Sequence, residues 1–296
     1  MSLNNLTAWH NGEYKPLKDV TVSVLDFGFI HSDATYDVIR VHERKILFYQ
    51  YHVKRYHESC YYYQFDRIEA KDILEISENL IIKNDLQNAF IWICNWRGAP
   101  ESGNPRDIKN APQNQLIYVK PYYTIKNSKP IELFTWNENK RSDHAFPQTF
   151  KNFSWIEFTR GQLNAEENLA DSTILLSPEG YVTEGPGFGI CFVKDKKIIT
   201  PKNNVLRSVT IDIVGNLFTD LDGEFERKDI TIDDAYDADE CFICSTSGGI
   251  TPVTRLDHVW FPGKHRVTID LMKEFAEFIK GGYKQAHGYY HLIAER

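Results

Sequence analysis

Ser172-Thr173-Ile174-Leu175-Leu176, then Gly189-Ile190-Cys191-Phe192-Val193, then Lys197-Ile198-Ile199-Thr200: three apolar runs follow one another within residues 172–200. β-Branched and aromatic residues favour strands. Between the first two runs the chain is broken by Gly185-Pro186-Gly187 and shows no helical period. Strand after strand without regular crossover helices predicts an α+β arrangement, not a doubly wound parallel sheet.

The same reading extends in both directions. Upstream, Trp9–Tyr14 and Val20–Leu25 are short extended candidates, and Thr35-Tyr36-Asp37-Val38-Ile39-Arg40-Val41 is rich in strand formers. Tyr51–Tyr63 changes to helical spacing. Ile73, Leu74, Ile76, Leu80 and Ile81 mark a second helix. Strands at Phe90–Asn95 and Gln115–Lys120 enclose a polar loop with Gly98, Pro100, Gly103 and Pro105, long enough to be functional. Ile131–Trp136 opens the second half, and Trp155–Leu169 has a helical pattern. Downstream come an amphipathic helix at Val209–Phe218 with Ser208 as N-cap, a strand at Glu240–Ser245 and a helix near Asp270–Lys280. The helix-breaking segment Lys126-Asn127-Ser128-Lys129-Pro130 is the expected interdomain linker, separating 1–125 from 131–296.

Composition narrows the function classes. The 296 residues carry 34 Lys+Arg against 41 Asp+Glu, a formal charge of −7, with no basic stripe to neutralise many phosphates, so a nucleic-acid partner is not expected. No apolar run approaches the ~20 residues of a membrane span, and Met1-Ser2-Leu3-Asn4-Asn5 lacks the pattern of a signal peptide. Five cysteines are sparse and odd in number, which fits thiols in a reducing compartment. A cytoplasmic protein is expected.

Among chemistry-bearing motifs, Cys241-Phe242-Ile243-Cys244 has the spacing of half a zinc site, but in a strand i and i+3 face opposite sides and no second pair exists. No metal site is expected. His52 and His57 are five apart, off the i,i+4 geometry for gripping one ion, and read as surface or core histidines unless a carboxylate partner appears. Dinucleotide, P-loop and nucleophile-elbow fingerprints are absent. Two anion-friendly turns stand out: Ser245-Thr246-Ser247-Gly248-Gly249 after a strand, and Ser208-Val209-Thr210 opening a helix. Lys151, in Phe150-Lys151-Asn152-Phe153-Ser154-Trp155, has aromatic neighbours and no adjacent acid. A lysine so placed is usually a snorkelling one, yet when partly desolvated it becomes the amine that condenses with an aldehyde. Glu184, in Val182-Thr183-Glu184-Gly185-Pro186-Gly187-Phe188-Gly189, precedes a strand; buried against a heterocyclic nitrogen it would hold that nitrogen protonated.

Taken in order, Leu25-Asp26-Phe27-Gly28-Phe29, His52-Val53-Lys54-Arg55-Tyr56-His57-Glu58-Ser59, Lys151 and Thr246-Ser247-Gly248-Gly249-Ile250-Thr251-Pro252-Val253 resemble the class IV, fold type IV, pyridoxal-phosphate aminotransferases across nearly the whole chain. His31 to Val38 and Lys151 to Trp155 are most similar to the (R)-selective amine transaminases. Branched-chain enzymes usually carry a different aromatic and a glycine where this chain has Tyr36 and Val38; relatives usually have an asparagine at Gly189 and often Gly-Ile-Thr-Arg at Ser208–Ile211. Trp155 stands in place of a tyrosine that many branched-chain enzymes carry.

The resemblance implies a two-domain α+β fold, with a smaller N-terminal α/β domain and a larger C-terminal pseudo-barrel domain. Pyridoxal 5'-phosphate would be the cofactor and a homodimer the assembly. It implies Lys151 as the Schiff-base lysine and proton shuttle, and Glu184 as the partner of the ring nitrogen. Arg55 with Val209, Thr210 and Thr246 would bind the cofactor phosphate. His31, Tyr36, Val38, Phe90, Trp92 and Ser247 would line the substrate side, with Arg97 and Arg106 as candidate carboxylate binders. The expected activity is ping-pong transfer of an amino group between a hydrophobic amine or amino acid and a keto acid or ketone, in the manner of an (R)-amine transaminase. Branched-chain or D-amino acid aminotransferase is the alternative, and aminodeoxychorismate lyase a more distant one. A non-catalytic binding protein using Tyr61-Tyr62-Tyr63, or a metal hydrolase, would be the reading from another class.

Overall fold

Side chains that alternate along neighbouring strands give the first half of the chain an inner and an outer sheet face. The computed structural model describes residues 5–122, 129–144, 146–261, 265–281 and 290–293. Strands β1 (Thr7–His10) and β2 (Glu13–Pro16) form a hairpin through Asn11 and Gly12, both at positive φ, so the expected Trp9–Tyr14 strand is split by a turn. Val20–Leu25 is not a strand: Asp26 accepts from the backbone of Ser23 and closes a turn before α1 (Phe27–Ile30). Then follow β3 (Ala34–His42), β4 (Lys45–Leu47), α2 (Tyr49–Tyr63), α3 (Ala70–Lys83), β5 (Ala89–Arg97) and β6 (Gln113–Pro121).

On the inner face Ile39, Val41, Ile91, Ile93, Ile117 and Val119 are fully buried with Val53, Tyr56, Ile73 and Leu80 of the two helices. At ~1.5–3 kcal/mol for each fully buried large side chain, this cluster is the main stabilising contribution to the sheet. The outer face carries Tyr36, Val38 and Arg40 of β3 opposite Cys94, Trp92 and Phe90 of β5, as strand alternation required.

The second sheet is built from β7 (Ile131–Lys140), β8 (Ser172–Leu176), β9 (Glu184–Gly185), β10 (Phe188–Lys194), β11 (Lys197–Pro201), β12 (Glu224–Lys228), β13 (Glu240–Ser245), β14 (Gly249–Leu256) and β15 (Val259–Trp260). Its main path runs β12-β11-β10-β13-β14-β7-β8, with β9 on β10 and β15 on β14. The pairs β7–β8, β7–β14 and β11–β12 are parallel, the rest antiparallel. Helices α4 (Ile156–Glu167), α5 (Val209–Asp220), α6 (Ile232–Tyr236) and α7 (Arg266–Lys280) complete the part. Cys241 and Cys244 lie buried in β13, and burial pushes both thiols well above their usual pKa, as befits core residues. Among the described residues no helix is long and apolar enough to cross a membrane, and no group of three His, Cys, Asp or Glu could hold a metal ion.

A last strand, β16 (Tyr290–Leu292), pairs with β4 and completes the first sheet in the order β16-β4-β3-β5-β6-β1-β2. The described residues divide into two compact units. The first takes those within Met1–Thr124, Phe150–Ser154 and Gln285–Arg296; the second takes those within Ile125–Thr149 and Trp155–Lys284. The single cut expected at 126–130 therefore differs from the structure: the Lys151 segment and the chain end join the first unit through contacts described below and through β16. Residues 126–128 of that linker lie outside the described residues.

Candidate active site

Three consecutive residues of β3 organise the part of the site carried by the first unit. Thr35 Oγ1 donates to the carbonyl of Lys151 at 2.5 Å, fixing the loop to the strand. Tyr36 places its ring beneath the lysine, with Nζ 4.6 Å from the centroid. Asp37 turns to the opposite face. The loop is also held by its aromatic residues: Phe150 stacks on Tyr62 at 4.4 Å and Phe153 lies 4.5 Å from Tyr36. Asn152 accepts from the Ser154 backbone and closes the turn.

Asp37 is fully buried and collects donors. Arg55 of α2 reaches it with both arms of its fork, Nε to Oδ2 at 2.8 Å and Nη2 to Oδ1 at 2.9 Å. His52 Nδ1 lies 2.8 Å from Oδ1, and the backbone N–H of Val38 donates there too. Burial by itself would raise the carboxyl's pKa, but the Arg55 charge, with the His52 bond and charge, reverses that and holds it well below the usual carboxylate range. His52 is pushed down from 6.5, first by burial, although its bond to Asp37 opposes the shift; the Arg55 and Lys151 charges add to the lowering. His52 is a buried histidine, and Asp37 is its carboxylate partner. A lone acid inside an apolar strand was the signal that could have found it, since a buried charge needs a partner.

In the second unit one row across three strands gathers the other candidates. Glu184 of β9 pairs with Gly189 of β10, which pairs with Cys244 of β13. The first turn of α5 lies against the same glycine: an added Cβ at Gly189 would come within 2.5 Å of Ile211 Cδ1. Val209 and Thr210 are buried in that turn, and Ser208 caps it by accepting from the Ile211 N–H. Thr246 and Ser247 follow two and three residues after Cys244, in the turn between β13 and β14. There Ser245 Oγ accepts from the Gly248 N–H at 2.8 Å.

Glu184 itself is buried, and Oε1 accepts from Arg141 Nε at 2.7 Å and from the Leu206 N–H at 2.8 Å. Arg141 is further held by Glu157 at 2.6 Å and lies over the Phe158 ring. Both donors take Oε1. Arg141 had no spacing signal in the sequence: it stands alone after a strand.

On the outer face of the first sheet Trp92 stacks between Tyr36, at 5.2 Å, and Tyr118, at 5.8 Å, with Val38 opposite it across the pair. Phe90 sits one row further along, edge-on to Tyr122. His31 does not join this wall; it is exposed at the end of α1 beside Phe27. Arg97, a candidate carboxylate binder, already has partners. It is buried, bonded to Asp33 at 2.7 Å and to the Tyr63 carbonyl, and lies over Phe65. Arg106 is exposed in a turn of the 98–112 loop.

The family described as Amino-transferase class IV matches residues 34–256. A putative branched-chain-amino-acid aminotransferase of Methanocaldococcus jannaschii is 25% identical over 251 residues, covering 83% of this chain and 86% of the relative. A D-alanine aminotransferase of Staphylococcus aureus (strain MSSA476) is 25% identical over 259 residues, covering 83% and 88%. The crystal structure of the branched-chain amino acid aminotransferase from Thermobaculum terrenum, in its PLP-bound holo form, superposes with a TM-score of 0.89 at 21% identity, over 99% of this chain and 100% of that one.

Proposed function

This chain belongs to the class IV aminotransferases, and we propose that it uses pyridoxal phosphate to exchange an amino group between a hydrophobic amino acid and a keto acid. The resemblance of the Tyr36 and Lys151 segments pointed toward (R)-amines as donors. The relatives named above are aminotransferases of branched-chain amino acids and of D-alanine, so the amino acid alternative is the better supported reading.

The residues present fit the cofactor. Its aldehyde needs an amine, its ring nitrogen an acid and its phosphate a set of donors. Lys151 suits the first need in kind, Glu184 the second, and Arg55 and the α5 N-terminus, each in its own unit, the third. When bound, the group supplies an electron-withdrawing ring that lowers the barrier to losing the α-proton. Lys151 Nζ is the base that takes this proton and returns it on the other side of the exchange. Glu184 would partner the ring nitrogen, and Arg141 orients its carboxylate through Oε1. Arg55, held by Asp37, and the N–H groups of the first turn of α5 with Thr210 and Thr246 take the phosphate. Tyr36, Val38, Phe90 and Trp92 present an apolar wall, and Ser247 a polar edge, to the substrate.

The observation that carries the reading is the amine of Lys151 seated on Tyr36 with its loop bonded to β3. The purified protein is expected to be yellow, to bleach with borohydride and to change its spectrum with leucine or D-alanine. Lys151→Ala should lose turnover and covalent fixation of the cofactor by borohydride. A response to 1-phenylethylamine alone would overturn the amino acid reading; a colourless protein that binds no pyridoxal phosphate would overturn the whole. The same reading includes a homodimer and a cytoplasmic location. Exposed Val22, Val24, Leu25, Phe29 and Ile30 are apolar surface that favours the dimer, which a monomer mass in light scattering would exclude.

A further inference from the structure

The outer face of the first sheet carries a cation that none of the roles above uses. Lys120 of β6 is opposite Phe90, which is opposite Arg40 of β3, so the three form one row. Lys120 leans out of its own row. Its Nζ lies 4.8 Å from the Trp92 ring and 5.6 Å from the Tyr118 ring, one row nearer Tyr36. Its charge is also felt at Cys94, which lies in the Tyr36 row. The stacked pair Tyr36 and Trp92 therefore has an ammonium at each member, Lys151 on the first and Lys120 on the second.

Among the described residues, the strands of this face, β3, β5 and β6, offer the cations Arg40 and Lys120 and no acid on their outward side. Arg40 lies over the Tyr122 ring, and its Nε is buried without a hydrogen-bond partner. Two cations set among aromatic rings form a positive, half-dehydrated patch, where an anion gains more than it would in open water.

From this arrangement we infer that Lys120 is a specificity-determining residue: it receives a substrate carboxylate carried away from the reacting carbon, as in a dicarboxylic keto acid. The inference rests on the transaminase reading, because Lys151 marks the reacting end. The aromatic pair sets the spacing between the two groups, and Lys120 supplies the charge that an uncharged side chain would leave unanswered.

The test uses the holoenzyme with leucine as donor and compares 2-oxoglutarate with 2-oxohexanoate as acceptors. Lys120→Met should raise KM for 2-oxoglutarate by about tenfold or more, the loss of one charge-assisted contact, with kcat and the 2-oxohexanoate KM within about threefold of the parent. Lys120→Arg should restore most of the 2-oxoglutarate KM. An equal rise for both acceptors, or no rise for either, overturns the assignment. Calorimetry with unreactive glutarate provides a second reading. Lys120→Met should weaken its binding about tenfold while the visible spectrum of the holoenzyme stays that of the parent. Unchanged glutarate binding overturns the assignment. A holoenzyme that transfers no amino group to any acceptor overturns the transaminase reading, and the glutarate measurement still decides whether Lys120 binds a carboxylate.

Discussion

Asp37 has no exposed surface, and its two oxygens take a guanidinium fork, an imidazole and a backbone N–H. Removing one member of a buried charge pair costs about 3–5 kcal/mol, because the other is left uncompensated. Asp37→Asn should therefore lower stability by roughly that amount in denaturant titration. It should also weaken pyridoxal phosphate binding, measured by equilibrium dialysis, since Arg55 loses the partner that aims it. A protein as stable as the parent would show that the cluster carries no such load. The same residues give a pH dependence. His52 is held neutral when folded and takes a proton near pH 6.5 when unfolded, so the unfolded chain binds more protons as pH falls. Asp37 is depressed, and its contribution fades below about pH 4, where the unfolded carboxyl protonates. Stability should be greater at pH 7.5 than at pH 5.5, and the difference should shrink in His52→Phe. Lys151, Glu184 and Arg55 were legible because each has a chemical type and a place in an ordered series. Asp37 and Arg141 were not, because a single charge has no spacing.

At the level of elements, β9, β10 and β13 form the row that presents Glu184, and its tightest point is Gly185. A Cβ there would come within 2.2 Å of the Phe188 ring and 2.3 Å of the Thr173 carbonyl. The ring can turn, but the carbonyl belongs to β8 and cannot move without its strand. Gly185→Ala should cost about 1–3 kcal/mol in chemical denaturation, the range for overpacking, and should weaken cofactor binding by displacing Glu184. Parent-like values for both would show that the row is pliant. The apolar strands β8, β10, β11 and β13 could be read from their sequence, as could α2, α3, α5 and α7. By contrast β12, Glu224-Phe225-Glu226-Arg227-Lys228, is a charged edge strand with no apolar run. In β14 a proline, Pro252, interrupts the pattern three residues after the glycine that opens the strand. Both form through their neighbours and not through their own propensity.

Across the whole chain, neither compact unit is a continuous stretch of sequence. Composition shifts reveal linkers, but they cannot reveal that β16 returns to β4 or that five residues around Lys151 belong with β3, since such pairings are set by distant partners. Ile293, just past β16, is buried in the first core. Ile293→Ala should cost about 2–5 kcal/mol, read as a lower midpoint in urea unfolding; a change below about 0.5 kcal/mol would mean that the chain end is only draped over that core. The arrangement around β3 also constrains redesign. Thr35 and Tyr36 hold the carbonyl and the amine of Lys151 while Asp37 holds Arg55, so inserting or deleting one letter there would turn all three to the wrong side at once. Libraries aimed at new substrates should leave that triplet intact and draw their diversity from Val38 and Phe90, because Trp92 stacks on the Tyr36 ring that seats the lysine.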